Sequence, residues 1–264
     1  MGYLTLTARG LADSWRSMIG WAIGIVAVVS LYLPLYPSFG GAEMEDLIAS
    51  LPPELISALG YDDIASGAGY AQATVYTLIG FVLLTIASIG WGAAGIAGAE
   101  ERGILELTAA HAVSRPALVL ARATEIVIRL TVLVAVAFLG TWVLNGPSEL
   151  GLEFGNLIAI SFALLGLATL SGLSALAAGA VRGDHGLAVG VGAGIAVAGY
   201  VLNAVGNTNA DLAWVSKFSP YSWAFQNDPL INGWDSGGLL MVYGLTAVVL
   251  TVGLLVFTRR DIGR

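Results

Sequence analysis

The chain has 264 residues, 57% of them hydrophobic and 11% charged, with a formal net charge of −7. Soluble domains carry about 25% charged residues; a chain this apolar points to lipid as its solvent. The lack of cysteine excludes a disulfide framework and a thiolate metal site.

The opening "LTLTARGLADSWRSM" (4–18) places Leu4, Leu11, Trp15 and Met18 on one helical face, with Arg9, Asp13 and Arg16 off it. This predicts an amphipathic helix over 1–17 at the membrane surface. It does not read as a cleavable signal, because the apolar run behind it is too long for a signal core. A helix needs about 20 apolar residues to cross a bilayer. Six stretches qualify: 18–36, 71–98, 126–144, 156–181, 187–205 and 238–258, each with a charge-free centre. Between the first two lies an acidic segment, 37–70. It reads as two short amphipathic helices, 42–51 and 52–60, broken at Pro52-Pro53. Its acids either solvate a structural cap or favour cationic solutes.

Between the second and third stretches stands "AEERGILELTAAHAVSRP" (99–116), compact and charged. Glu100 and Glu101 are predicted to open a helix, where carboxylates favour the positive end of the dipole. Ile104, Leu107, Thr108 and His111 follow at helical spacing. Ser114 suits a new helix cap and Pro116 its first turn. Arg115, Arg122 and Arg129 then recur on one face, and Glu125 is placed to pair with Arg129 at i,i+4. Two readings stand for the arginines: they snorkel to lipid phosphates, or they belong to a transport path. Two also stand for the short helix, which either lies on lipid or docks a soluble partner.

Gly20 and Gly24, and Gly190 and Gly194, form G-x-x-x-G pairs that predict close packing between spans or between protomers. The glycine-rich "GVGAGIAVAG" (190–199) has no lysine, so it is no phosphate loop. The segment 206–237 holds Trp214, Phe218, Tyr221, Trp223, Phe225 and Trp234. These form an interfacial belt or a re-entrant gate, with Tyr221 and Trp223 the first choices.

Arginine sets the orientation. With six spans both termini share a side, and that side holds Arg9, Arg16, Arg102, Arg115, Arg122, Arg129, Arg182, Arg259, Arg260 and Arg264, against Lys217 on the other. The positive-inside rule then makes the termini and 99–116 cytoplasmic, in a multi-pass protein of the plasma membrane.

The run "GAEERGILELTAAHAVSRPALVLAR" (98–122) resembles the signature loop of ABC transporter type-2 export permeases. The match falls on Glu100, Glu101, Gly103, Leu105, Glu106, Leu107, Val113, Ser114 and Arg115. "SKFSPYSWAF" (216–225) is similar to that family's Ser-Pro-aromatic segment. "FTRRDIGR" (257–264) and "DLIASLPPELISALGYDD" (46–63) resemble parts of its drug and polyketide-antibiotic exporters. His111 departs from the apolar residue expected there.

The resemblance implies an all-α membrane fold, forming a single transmembrane domain over 1–264. It has six spans, an elbow helix, and a coupling helix that carries Glu100, Glu101, Arg102, Gly103, Leu105, Glu106, Leu107, Ser114 and Arg115. It implies a non-catalytic subunit that exports a lipophilic or amphipathic small molecule. Two ABC ATPase subunits bind the ATP and Mg, a second permease copy or sister permease completes the complex, and lipid surrounds it. No cofactor, metal or nucleic acid is expected on this chain. Tyr221, Trp223 and Arg129 are the candidates for the substrate path. The alternative is a stand-alone secondary transporter or channel, which the charge-free span centres disfavour. An intramembrane enzyme would need paired catalytic groups that the spans lack.

Overall fold

The computed structural model describes residues 3–39, 50–59, 63–103 and 114–260. Every regular element among them is helical. Six helices are long and apolar enough to cross a membrane: Trp15–Ser38, Gly67–Gly95, Arg115–Asn145, Phe154–Arg182, His185–Thr208 and Ser236–Arg259, here the first to sixth spans. All six coincide with stretches read from the sequence. The third departs furthest, beginning at Arg115 rather than near Ile126. The Ser114 side chain accepts from the Ala117 amide and Pro116 occupies the first turn, so the helix starts well ahead of its apolar run.

The fourth span is the hub. Its most apolar window is 83% buried, against 17% for the first and sixth spans. Small residues explain this, because they let neighbouring backbones approach closely. A Cβ added at Gly172 would stand 2.8 Å from the Ser88 Cβ of the second span, and one at Gly192 would stand 3.0 Å from the Ala175 Cβ. Gly253 packs the sixth span on Ala177 in the same way. The glycine pairs singled out by sequence behave differently. Gly20, Gly24, Gly190 and Gly194 have nothing within 4 Å of where a Cβ would lie. They pack no spans together among the described residues, and Gly192, between the last two, makes the contact instead.

The second span is not a uniform α-helix. Gln72–Gly80 is wound as a π-helix, a rare geometry that concentrates at functional places. The Thr77 hydroxyl donates back to the Gln72 and Ala73 carbonyls, both at 3.2 Å. Tyr76 is fully buried, and its hydroxyl lies 3.2 Å from Thr141 Oγ1 of the third span.

Two further elements shape the ends of the bundle. An N-terminal helix, Tyr3–Asp13, breaks from the first span at Ser14 and lies against the third span. Tyr3 hydrogen-bonds Thr124, and Thr7 is buried. Leu4 and Trp15 point outward, exposed at 77% and 55%, as an amphipathic helix on lipid requires. At the opposite end Pro53–Leu59 is helical as read, while 40–49 and 60–62 lie outside the described residues. The segment after the fifth span folds into short helices, and one of them, Pro220–Phe225, buries Tyr221, Ser222, Ala224 and Phe225. Ser219 caps it, accepting from the Ser222 amide at 3.0 Å and donating to the Gly199 carbonyl at 2.6 Å.

Candidate functional site

At the charged end, Glu100 and Glu101 close a short helix, Ala97–Glu101, that follows a break at Ile96. The sequence reading had them open one. Both carboxylates turn toward the bundle. Glu100 is ion-paired with Arg260, whose guanidinium also donates to the Ala180 carbonyl of the fourth span at 3.1 Å. Glu101 accepts from the His185 amide, 2.8 Å away, at the start of the fifth span. Arg115 donates to the carbonyls of Arg260 and of Thr258, the latter at 3.4 Å. Terminal amides and carbonyls of a helix lack intrahelical partners, and these side chains supply them. The 99–116 segment is thereby tied at both its roots to the ends of the fourth, fifth and sixth spans.

Arg102 and Gly103 are exposed. Gly103 has φ +69°, a turn that glycine makes without steric cost. Ser114 is exposed as a helix cap. Leu105, Glu106 and Leu107 fall in 104–113, outside the described residues.

Deeper along the third span is a charge cluster. Glu125 is 2% exposed and Arg129 9%. The Glu125 carboxylate accepts from Arg122 at 2.9 and 3.0 Å and from Arg129 at 3.2 Å. Arg129 also donates to the Gly10 carbonyl of the N-terminal helix at 2.8 Å, and its guanidinium lies 5.4 Å from the Trp91 ring centroid. The i,i+4 pairing was legible in sequence. The burial was not: Arg129 is roofed by protein rather than snorkelling to water.

At the aromatic end, Tyr221 and Trp223 part company. Tyr221 points inward and donates to the Thr77 carbonyl of the π-helical stretch at 2.9 Å. Phe81, Tyr200 and Phe225 each meet its ring edge-on, with centroids 5.0 to 5.4 Å away. Trp223 is half-buried against the core and donates to the Lys217 carbonyl at 2.7 Å. Trp214, Phe218 and Trp234 are exposed, as a belt at the membrane interface would be.

Two cavities lie at this end, and Tyr221 lines the first of them. One, about 290 Å³, is polar, with Gln72, Asn203, Asn207, Gln226 and Asp228 in its wall. The other, about 340 Å³, is an apolar groove between the second and fifth spans, lined by Phe81, Val82, Ile86, Ile89 and Val197 among others. Thr77 belongs to both. Arg129 belongs to neither. It faces Trp91, fourteen residues beyond Thr77, about 21 Å along the helix. The path candidates therefore do not form one site.

A model of the family described as ABC-2 family transporter protein matches residues 4–262. The chain belongs to that family. Its members are membrane permeases of ABC exporters and associate with ABC ATPase subunits, so the six helices form a multi-pass membrane permease. No curated protein matches the chain. Against this identity, sequence reasoning missed Arg260, the His185 amide and Gln72. The Arg-Arg pair closing the sixth span is the one available signal, and in the sequence it reads only as a mark of orientation and as part of the tail.

Proposed function

We propose that this permease exports a lipophilic or amphipathic small molecule, of the drug, antibiotic or lipid-like kind, driven by ATP and Mg bound on two separate ATPase subunits. Residues 99–116 form the coupling element, on the cytoplasmic side with both termini. A second copy or a sister permease completes the translocation unit. The observation that carries this reading is the anchoring of the loop roots. Glu100 holds Arg260 and Glu101 holds the His185 amide, so a push on the loop reaches three spans at once.

The cavities support the cargo class. A lipophilic molecule fits the apolar groove between the second and fifth spans, and the amide-rich cavity beyond it suits release toward water. Tyr221, in the wall of the polar cavity and bonded to Thr77, which borders both, is the gate. Its hydrogen bond to a π-helical carbonyl is one that a small shift of the second span would break.

The test is co-purification of the permease with its ATPase, followed by ATP-dependent transport of a lipophilic dye in proteoliposomes. Glu106→Arg in the loop should abolish ATPase binding and leave the permease folded. Dye movement without ATP or ATPase would overturn the proposal in favour of a secondary carrier.

A further inference from the structure

Beside the third span at the charged end lies a cavity of about 260 Å³, bordered by Trp91, Ala94, Arg102, Arg122, Glu125 and Arg129. Its charges do not balance. Three guanidiniums face one carboxylate among the described residues, a surplus of two positive charges. Glu100 and Glu101, on the neighbouring short helix, are engaged elsewhere, with Arg260 and with the His185 amide. The Nε atoms of Arg122 and Arg129 are buried with no hydrogen-bond partner among the described residues, and Arg129 is itself nine-tenths buried. Buried guanidinium donors normally find acceptors, and these two border a space large enough to admit one.

The depth of the cavity narrows the choice of ligand. The third span has 31 residues, about 46 Å of helix, which exceeds a hydrocarbon layer of about 30 Å. Counting about 20 residues back from Asn145 crosses that layer and ends near Glu125. Arg122 and Arg102 then lie at headgroup depth, with Arg129 just inside the hydrocarbon.

We infer that this cavity binds the phosphate of an anionic membrane lipid. A guanidinium offers Nε and Nη as a fork that matches phosphate oxygens; Arg122 bonds Glu125 through one Nη alone, and the Nε of Arg129 adds a further donor. Trp91 and Ala94 supply an apolar flank for the glycerol and upper acyl chain. The surplus charge selects an anionic headgroup over a zwitterionic one, whose ammonium would meet the same arginines. The bound lipid would brace the junction where Arg129 holds the Gly10 carbonyl of the N-terminal helix. This inference needs neither the ATPase nor the cargo, so it stands or falls apart from the proposed function.

The experiment is native mass spectrometry of the full chain in neutral detergent, titrated with phosphatidylglycerol, phosphatidylcholine or inorganic phosphate, alongside thermal melting. Phosphatidylglycerol should be retained at about one per chain and raise the melting temperature by mass action; phosphatidylcholine should do neither. Arg102→Gln, at an exposed residue whose side chain has no hydrogen bond or ion pair among the described residues, should weaken retention roughly fivefold, the weight of one arginine near an anionic surface. Ala94→Phe fills the cavity without changing charge and should abolish retention. Equal retention of the two lipids, or retention unmoved by both variants, overturns the site. Displacement of phosphatidylglycerol by inorganic phosphate at matching concentration overturns the lipid assignment in favour of a soluble anion.

Discussion

Replacing Glu125 by alanine tests the charge cluster most directly. The carboxylate is 2% exposed and serves two guanidiniums. Without it, Arg122 can swing outward, since its side chain is already 30% exposed. Arg129 cannot, because the Gly10 carbonyl holds it at 2.8 Å and Trp91 covers it. The cost is thus that of one stranded buried charge, about 3–5 kcal/mol. Arg129→Met differs in kind. Glu125 keeps Arg122 as partner, and what disappears is mainly a charged hydrogen bond to Gly10, about 1.5–3 kcal/mol, partly offset by methionine packing. The double variant Glu125→Met/Arg129→Met leaves no buried charge and should lie within about 1 kcal/mol of the parent, since apolar replacement of a buried pair is often neutral. With about 2–4 °C per kcal/mol for a chain of this size, thermal unfolding in detergent, followed by tryptophan fluorescence, should rank the double variant first, Arg129→Met second and Glu125→Ala last. A double variant that melts as low as Glu125→Ala would refute the stranded-charge reasoning.

Gly10→Val should lift the N-terminal helix, because a Cβ there would land on the Glu125 carboxylate; hydrogen exchange over 3–13 should accelerate while the fourth span stays protected. Arg260→Ala removes the partner of Glu100 and of the Ala180 carbonyl. It should raise exchange at 97–101 and uncouple transport from ATP hydrolysis with ATPase binding retained, and normal transport by this variant would count against the anchoring argument. Tyr221→Phe removes the hydrogen bond to the Thr77 carbonyl, worth about 1 kcal/mol, and should lower the melting temperature by a few degrees; an unchanged melting temperature would mean that this bond adds nothing to stability.

The six spans were legible because a run of some 20 apolar residues has few other uses, and the cap at Ser114 because Ser-Arg-Pro states a helix start in three letters. Legibility ended where tertiary contacts decide. Glu125 and Arg129 read as the edge of a span, since periodicity cannot say that a second helix will cover them. The π-helical turn in the second span left no mark that propensity can detect; it is held by contacts such as Tyr76 with Thr141 and Tyr221 with Thr77. The G-x-x-x-G pairs at Gly20 and Gly190 do not join spans within the chain, because a gap between glycines shows that a backbone could approach, not that one does. The contacts that do occur use single small residues, Gly92, Gly192 and Gly253, each matched to the fourth span. Glu100 and Glu101 were expected to shape the loop helix, and in the fold they reach back across the charged end of the bundle, a connection between distant parts of the chain that local reading could not supply.

The unequal burial of the spans has a consequence for how freely the sequence can drift. Along the fourth span nearly every position is answerable to a neighbour, so methyl-sized changes at Gly172, Ala175 or Ala177 are felt by two or three helices. The first and sixth spans have few such neighbours within the chain, and a face turned to lipid asks only for hydrophobicity and accepts almost any shape that provides it. Relatives of this chain should therefore differ freely at residues such as Ile23, Leu240 or Val252 while keeping the small residues of the fourth span, and a random substitution library should show tolerance rising outward from that central helix.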